Sequence, residues 1–280
     1  ANCKFQKFSS LFYNQRILYL KGCSFIQNIN EIIHNEHETV DDGNHRTIQN
    51  ENNMKDFSLN VNNDMSITII DCFFTKTQTY AIKATDNRIS LYITNCYFND
   101  CLTEEGLICL QRTRCVTITH TCCSLIKITG QYAFLYFDCR EIDFSVFLYN
   151  SIVDVQRNDD KLKMDGSIVN CRSGDQYFRC NNITKCNSNA FSIDAPYCFS
   201  FAINTVVNCD CSCLRLTGTV NKVQNKILDK VNFFSNGIES QAILYLTNND
   251  RTLTIQNSVL LSSINHLVQR EDYPNLIILN

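Results

Sequence analysis

The chain has 280 residues, of which 44% are hydrophobic and 17 are cysteines, and its 25 basic and 28 acidic residues give a net charge of −3. With so little net charge, and no basic stretch interleaved with aromatic residues, a nucleic-acid-binding surface is disfavoured. No signal peptide is recognisable, and no apolar run reaches the roughly 18 residues that a transmembrane helix needs.

Residues 1–56 are predicted to form one or more N-terminal coils with a polar insertion loop at 34–56. This loop holds His34, His37 and His45 beside several carboxylates, a composition that would suit a metal site. However, His34-x2-His37 matches no catalytic spacing, and no apolar frame would hold the ligands rigidly. A mobile loop is therefore favoured, and no metal or cofactor is predicted.

Residues 57–280 carry a repeat of about 26 residues, in which a short apolar run is followed, after a polar turn, by a second run. The first run of the repeat lies at 80–84, 107–110, 133–136, 190–193, 213–216, 242–245 and 266–268. The second run lies at 89–98, 116–125, 142–153, 199–207, 223–234 and 253–261. A fixed period of this size indicates supersecondary units that stack on one another.

Both runs alternate with period 2 and none keeps a 3.6-residue period, which argues against leucine-rich, helical and propeller repeats. The sequence therefore predicts an all-β, right-handed parallel β-helix (solenoid) of about 8–9 coils, each of roughly 23–34 residues. The repeat continues to the last residue, so one elongated body is expected, as part of a longer chain.

Stacking of coils predicts columns of inward side chains. For the first strand these are Ile82, Ile108, Phe134, Phe191, Leu214, Ile243 and Leu267, followed by Ala84, Leu110, Tyr136, Ile193, Leu216 and Tyr245. For the second strand they are Ile67/Ile69, Leu91/Ile93, Val116/Ile118, Phe144/Val146, Phe199/Phe201 and Leu253/Ile255. Most members are apolar, as a core shared between neighbouring coils requires.

Polar turns after the second run repeatedly place Asn or Asp beside Cys or Ser, as at Asp71-Cys72, Asn95-Cys96, Asn150-Ser151, Asn208-Cys209 and Asn257-Ser258. Asn tolerates left-handed backbone angles and hydrogen-bonds locally. In register, the amides could bond from coil to coil as a ladder. The alternative is that Asn is abundant in this chain and simply occupies every loop.

Seventeen cysteines are typical of an oxidising compartment, which predicts an extracellular or cell-surface location. Disulfide candidates are Cys72 with Cys96 between coils, Cys96 with Cys101, Cys180 with Cys186, and pairs within Cys209, Cys211 and Cys213. The alternative is that the thiols pack as small apolar side chains. Because the count is odd, at least one thiol is free or pairs outside this sequence. Zinc is disfavoured, since no Cys-x2-Cys pair is flanked by a second pair.

Asp86, Arg112 and Asp138 follow the first run at intervals of 26 residues and are predicted to share one corner. Two acids beside a cation could serve glycosidic chemistry, with one acid protonated and one ionised. The favoured alternative is a structural ladder of opposite charges. No catalytic residue is therefore assigned.

Asn182-Ile183-Thr184 is a glycosylation sequon and predicts a modified surface turn at Asn182. The apolar run Leu276–Leu279 predicts an uncapped solenoid end through which copies associate. Deleting residues 274–280 should then change the oligomer size.

Asn-Cys-aromatic turns, few glycines and abundant Asn resemble the Cys-rich β-helical surface proteins of anaerobic protists, which are similar to polymorphic membrane protein repeats. Their Phe-x-x-Asn motif occurs at 25–28, 147–150, 178–181, 201–204 and 233–236, whereas their Gly-Gly-Ala-hydrophobic motif is absent. The resemblance implies an exposed, adhesive role and carries over no catalytic residue.

The leading hypothesis is a non-enzymatic extracellular spacer, adhesin or filament subunit with protein or glycan partners. A membrane would be reached only through segments outside this sequence. The rival is a β-helix polysaccharide lyase or glycoside hydrolase, with Asp86 and Asp138 as acid and base and Arg112 tuning these acids or binding a uronate. A third hypothesis is a module that binds host glycans without turnover.

Overall fold

The structure is a computed structural model that describes parts of the chain. The described residues are 4–6, 17–26, 33–36, 46–48, 57–59, 65–78, 80–85, 89–103, 106–130, 133–157, 167–194, 199–210, 212–217, 226–235, 242–247, 252–262, 267–271 and 275–279. All regular structure within them is β-strand, and three parallel sheets run along the body. The predicted all-β parallel solenoid is confirmed, and the coil count differs slightly from eight or nine.

The first sheet collects the strands that open each coil. They are β4 (Ile33–Glu36), β9 (Ile82–Thr85), the start of β13 (Ile108–Thr119), the start of β15 (Leu135–Leu148), β17 (Ser167–Arg172), β20 (Asn189–Asp194), β23 (Leu214–Thr217), β26 (Leu244–Thr247) and β29 (Val268–Glu271).

The second sheet follows the first along each coil. It contains β2 (Ile17–Lys21), β7 (Met65–Ile70), β10 (Ile89–Thr94), the ends of β13 and β15, β18 (Asp175–Arg179), β21 (Phe199–Ala202), β24 (Lys226–Asp229), β27 (Thr252–Gln256) and β30 (Asn275–Leu279). Because β13 and β15 bend from one sheet into the other, the first two sheets are hydrogen-bonded into one.

The third sheet closes the coil. It contains β1 (Lys4–Gln6), β3 (Ser24–Ile26), β8 (Phe73–Thr75), β11 (Tyr97–Asn99), β14 (Cys122–Ile128), β16 (Ser151–Arg157), β19 (Asn182–Thr184), β22 (Thr205–Cys209), β25 (Asn232–Ser235) and β28 (Val259–Ser262). The short strand β12 (Leu102–Thr103) pairs with β14. Most of the predicted second runs therefore contain two strands, one in the second sheet and one in the third sheet.

The turn between the second and third sheets is a single left-handed residue. In successive coils it is one of eight residues with φ between 51° and 57°: Asp71, Asn95, His120, Tyr149, Cys180, Ile203, Lys230 and Asn257. Only two of these are Asn. The coil geometry therefore imposes this conformation even on a β-branched residue such as Ile203, for which it is unfavourable.

The insertion begins later than predicted. His34 belongs to β4, which pairs in register with β9, so the first sheet extends to Glu36. Beyond it, β5 (Arg46–Ile48) and β6 (Phe57–Leu59) form an antiparallel pair. His37 and His45 lie outside the described residues.

The predicted second-strand columns are confirmed for Ile67/Ile69, Leu91/Ile93 and Val116/Ile118, which pair in register and are buried. The column Phe144/Val146 is wrong. Val116 pairs with Ser145 and Ile118 with Phe147, so Phe144 points outward and is 41% exposed. A slip of one residue reverses every side chain of a strand.

The same slip affects three members of the first-strand column. Leu135, Leu244 and Val268 hold the aligned positions, one residue after the predicted Phe134, Ile243 and Leu267. Consequently Phe137 and Leu246 are buried where Tyr136 and Tyr245 were predicted. Both tyrosines lie half-buried on the outer face.

The interior is one continuous apolar core that runs the length of the described coils. Its largest fully buried side chains are phenylalanines, and several of them pack against a ring of the next coil. Phe74 and Phe98, for example, lie 4.5 Å apart between ring centroids with an interplanar angle of 10°. Such a core makes each coil depend on its neighbours for burial.

Candidate functional surfaces

An interior column at the start of the third sheet carries most of the buried polar chemistry. We call it the inner turn column, and its members are Cys23, Cys72, Cys96, Thr121, Asn150, Asn181, Asn204, Val231 and Ser258. Each member precedes a strand of the third sheet, and the backbone bonds Phe73 N to Cys23 O (2.7 Å) and Tyr97 N to Cys72 O (2.9 Å) hold neighbouring coils in register.

Three asparagines of this column form a buried amide ladder. Asn150 Nδ2 donates to Asn181 Oδ1 at 3.0 Å, and Asn181 Nδ2 donates to Asn204 Oδ1 at 2.9 Å. Each amide also bonds a backbone carbonyl of the preceding coil, as Asn181 does to Phe147 O at 2.7 Å. The predicted ladder is confirmed at Asn150 and extends to Asn181 and Asn204, which the turn pattern did not single out.

Three cysteines occupy the other end of the inner turn column. Cys23, Cys72 and Cys96 lie on consecutive coils and are 5%, 2% and 2% exposed. Their thiols donate to the carbonyls two residues before them, at 3.5 Å to Lys21 O, 3.2 Å to Ile70 O and 3.3 Å to Thr94 O. The predicted stacking of Cys72 on Cys96 is found, with both residues present as thiols.

The other two short-range disulfide candidates, Cys96 with Cys101 and Cys180 with Cys186, do not lie on neighbouring coils. Cys96 and Cys101 lie at opposite ends of β11, and Cys180 and Cys186 at opposite ends of β19. A three-residue strand spans roughly 10 Å, which exceeds the reach of about 7 Å between disulfide-bonded Cα atoms. Cys186 instead stacks on Cys209 of the next coil and bonds to its thiol.

Cys213, of the same cluster, lies close enough to Cys209 for the two thiols to interact. Cys213 is fully buried at the start of the first sheet, where burial raises the pKa of its thiol well above the usual range. Cys211 lies outside the described residues. Whether any cysteine pair forms a disulfide stays a prediction.

Of the residues predicted to share one corner, the structure describes Arg112 and Asp138, which do not lie in the same row. Asp138 pairs with Gln111 of the coil before it, whereas Arg112 sits at a bulge with φ of 58°. Asp86 lies outside the described residues. The extra residue at this bulge removes Arg112 from the row that equal spacing predicted.

The partners of Asp138 are residues that sequence spacing missed. Asp138, Arg172, Asp194 and Thr217 occupy one outward row on four consecutive coils. The Arg172 Nε lies 4.0 Å from Asp194 Oδ2, and the Thr217 hydroxyl donates to Asp194 Oδ1 at 3.0 Å. We call this the charged row. The intervals of 34 and 22 residues hid it from a search for a fixed period.

Burial raises the pKa of the half-buried Asp138, while the nearby guanidinium groups of Arg172 and Arg112 oppose the shift. The Arg172 guanidinium also lies 5.7 Å from the ring centre of Tyr136, and Arg215 lies 5.1 Å from that of Tyr245. The first sheet thus presents acids, guanidinium groups and tyrosine rings on one outer face.

The outer face of the third sheet has the opposite character. Two charged residues of this sheet lie at or beyond the left-handed residues Leu125 and Asp154: Lys127 is exposed on β14, and Asp154 is partly exposed on β16. Before these turns, in the first three residues of each strand from β3 to β28, the described outward positions are Ser24, Phe73, Thr75, Tyr97, Asn99, Cys122, Ser124, Ser151, Val153, Asn182, Thr184, Thr205, Val207, Asn232, Phe234, Val259 and Leu261. None of these 17 is charged. We call this surface the uncharged face.

The sequon lies in the middle of the uncharged face. Asn182 is exposed at the first position of β19, with Ile183 buried and Thr184 partly buried. Its neighbours in the row are Ser151 and Thr205. The side chain is thus accessible for modification, on a strand rather than the predicted turn.

Within the described parts of the chain, no group of three His, Cys, Asp or Glu side chains could hold a metal ion. The same parts contain no helix of sufficient length and apolarity to span a membrane. Comparisons with protein-family models, curated proteins and solved structures found no match. The class of protein is therefore defined by its fold, a parallel β-solenoid.

Proposed function

We propose that this chain is a structural or adhesive element of an extracellular or cell-surface assembly, the role that its resemblance to Cys-rich β-helical surface proteins implies. The observation that carries the proposal is the uncharged face. A solvated protein surface normally carries interspersed charges, and their depletion is typical of the centre of a protein interface.

The partner that we propose for this face is a second copy of the chain. A charged partner would bury its charges without counter-ions, which is costly, whereas a second uncharged face avoids this cost. Two-fold packing would also bring identical rows against each other, as in most homodimers.

The size of the face fits this partner. Nine strands about 4.8 Å apart extend roughly 38 Å, and a strand with its turns is roughly 15 Å wide. Each copy would bury about 600 Å², so the total of about 1,200 Å² reaches the lower range of specific interfaces. Charged turn residues on both sides, such as Asp71 and Lys185, would form a polar rim.

Matched serine variants test the proposal. Ser151→Lys places a charge in the centre of the uncharged face, and Ser192→Lys places the same charge on the first sheet. Both serines are partly exposed and lie outward on strands. Analytical ultracentrifugation should show a dimer for the wild type and Ser192→Lys, and a monomer for Ser151→Lys.

Equal association of both variants would refute packing through this face. Deletion of residues 274–280 then tests the alternative, in which copies associate through the end of the solenoid. There, Ile277, Ile278 and Leu279 are 44%, 57% and 50% exposed. Loss of oligomers only after this deletion would favour the end over the face.

A second candidate function, a carbohydrate-active enzyme, is favoured by the charged row. Asp138 and Asp194 lie two coils apart, roughly 9.6 Å between strands, on either side of Arg172. Inverting glycosidases separate their two carboxyl groups by about 6.5–9.5 Å. Turnover of an acidic polysaccharide that is lost in Asp138→Asn would establish this function, and array binding without turnover would indicate a glycan-binding module.

A further inference from the structure

Cys23, Cys72 and Cys96, at one end of the inner turn column, lie on three consecutive coils. Cys72 has one thiol neighbour on the coil before it and one on the coil after it. Parallel strands place these backbones about 4.8 Å apart, within the range of Cα separations that a disulfide spans. Neither bond would therefore require the coils to move apart.

The sulfur atoms of Cys23, Cys72 and Cys96 contact one another in sequence along the inner turn column. Cys96 Sγ reaches back to the preceding coil, where it lies 3.6 Å from Ile69 O, and it also contacts the sulfur of Cys72. Cys23 contacts Cys72 from the other side. The central sulfur thus has a thiol neighbour on either side, and Asp71 immediately precedes Cys72 in the chain.

This environment favours ionisation of the central thiol. The pKa of Cys72 is lowered to about 7, chiefly by the hydrogen bond from Cys96 and to a lesser extent by Cys23, against the effect of burial. The pKa of Cys96 is raised, because its thiol acts as the donor to Cys72 and because it is buried. Cys72 is therefore the nucleophile and Cys96 the proton-bearing neighbour.

We infer that Cys23, Cys72 and Cys96 form an oxidation site, in which Cys72 reacts with a peroxide and Cys96 resolves the product as a disulfide between coils. The Cys72 thiolate attacks one peroxide oxygen, the O–O bond breaks, and Cys72 becomes a sulfenic acid with release of water. The Cys96 sulfur then attacks the Cys72 sulfur and displaces a second water. Two thiols are oxidised and one peroxide is reduced to two waters.

Cys23 gives the site a second outcome. Its sulfur can attack the Cys72–Cys96 disulfide at Cys72, which would transfer the bond to Cys23 and regenerate the Cys96 thiol. The Cys23–Cys72 bond closes a segment of 49 residues that contains the insertion with β5 and β6, whereas Cys72–Cys96 closes 24. The exchange would therefore select which part of the solenoid is crosslinked.

The test uses reduced, folded protein treated with hydrogen peroxide, quenched with N-ethylmaleimide and mapped as non-reduced peptides. We expect a Cys72–Cys96 peptide in the wild type and a Cys23–Cys72 peptide in Cys96→Ser. Cys72→Ser and Cys72→Ala should form neither. Circular dichroism identifies any variant that fails to fold, and the wild-type pH profile below does not depend on the variants.

The stacked thiols Cys186 and Cys209 provide an internal control of similar geometry, because the pKa of Cys186 is raised well above the usual range. Oxidation of Cys72 should rise about tenfold between pH 6 and pH 8, as the thiolate fraction does for a pKa near 7. Oxidation of Cys186 no slower than that of Cys72, or a Cys72 rate independent of pH, would overturn the inference.

Discussion

Asn150 and Asn181 lie on successive coils, 31 residues apart in sequence, and are joined by two hydrogen bonds to one oxygen. Asn181 Oδ1 accepts from the Asn150 side chain at 3.0 Å and from the Asn150 backbone N–H at 3.1 Å. Both residues are almost completely buried. The amide ladder therefore satisfies buried backbone groups that the turn between sheets leaves without a partner.

Replacing Asn181 with Ala should destabilise the solenoid by about 3 kcal/mol, because several buried groups lose their partners at once. The orphaned groups are the Asn150 N–H and amide, and Phe147 O. Urea denaturation measures the change in the free energy of unfolding. The neighbouring Asn182 is exposed, so Asn182→Ala in unglycosylated protein should cost less than about 0.5 kcal/mol. Equal costs would contradict the role of the ladder.

Gly106→Ala should destabilise the protein by about 2 kcal/mol or more. Gly106 has φ of 113°, and a Cβ there would collide with the carbonyl oxygen of Ala133. Gly22→Asn is the control, since φ at Gly22 is 63° and Asp71 and Asn95 adopt the same conformation on the next coils. Thermal unfolding should show a large decrease for the first variant and little change for the second.

The stability contributed by Asp138 should depend on pH. Its pKa is raised in the folded protein by burial, so the folded state binds this proton more tightly than the unfolded chain does. Its contribution is thus complete below the unfolded pKa of about 3.9 and is lost as the pH rises through the folded value. Asp138→Asn should therefore gain stability relative to wild type between pH 3 and pH 7.

Chemical denaturation at the two pH values measures this difference. Gln111→Asn serves as the control because Gln111 pairs with Asp138 and does not titrate. Its difference from wild type should be the same at both pH values. A gain for Asp138→Asn that is larger at pH 3 would mean that the charge on Arg172, rather than burial, dominates the pKa of Asp138.

Glycosylation at Asn182 and packing through the uncharged face should exclude each other. Asn182 is exposed in the centre of that face, where a glycan would separate two opposed sheets. Protein secreted with the glycan should sediment as a monomer, and Asn182→Gln from the same cells should sediment as a dimer. A glycosylated dimer would place the contact elsewhere.

The fold could be predicted from the sequence because each coil buries the inward side chains of its strands against the coils on both sides. This burial requires apolar residues at every second position of each strand. The pairs Ile67/Ile69, Leu91/Ile93 and Val116/Ile118 aligned correctly, since those coils have nearly equal length. Alignment failed at Tyr136 and Phe144, because Ile108 pairs with Leu135 and Val116 with Ser145, each one residue later than the predicted partner. Coils of unequal length shift the register in this way, and no local pattern marks the extra residue.

The candidate surfaces could be predicted only in part. Asp138 was found, but its partners Arg172 and Asp194 were not, because unequal coil lengths hide a shared row. Cys72 and Cys96 were correctly placed on neighbouring coils, whereas Cys23 was missed, since the insertion separates it from the repeat by 49 residues.

The sequence by itself determined that this protein is a parallel solenoid with polar turns between apolar strands, because those features follow from residue periodicity. Only the tertiary structure decided which residues share a row. Coils of 22 to 34 residues bring together Asp138, Arg172 and Asp194, as well as Asn150, Asn181 and Asn204. Backbone hydrogen bonds between coils set these rows, and spacing along the chain does not.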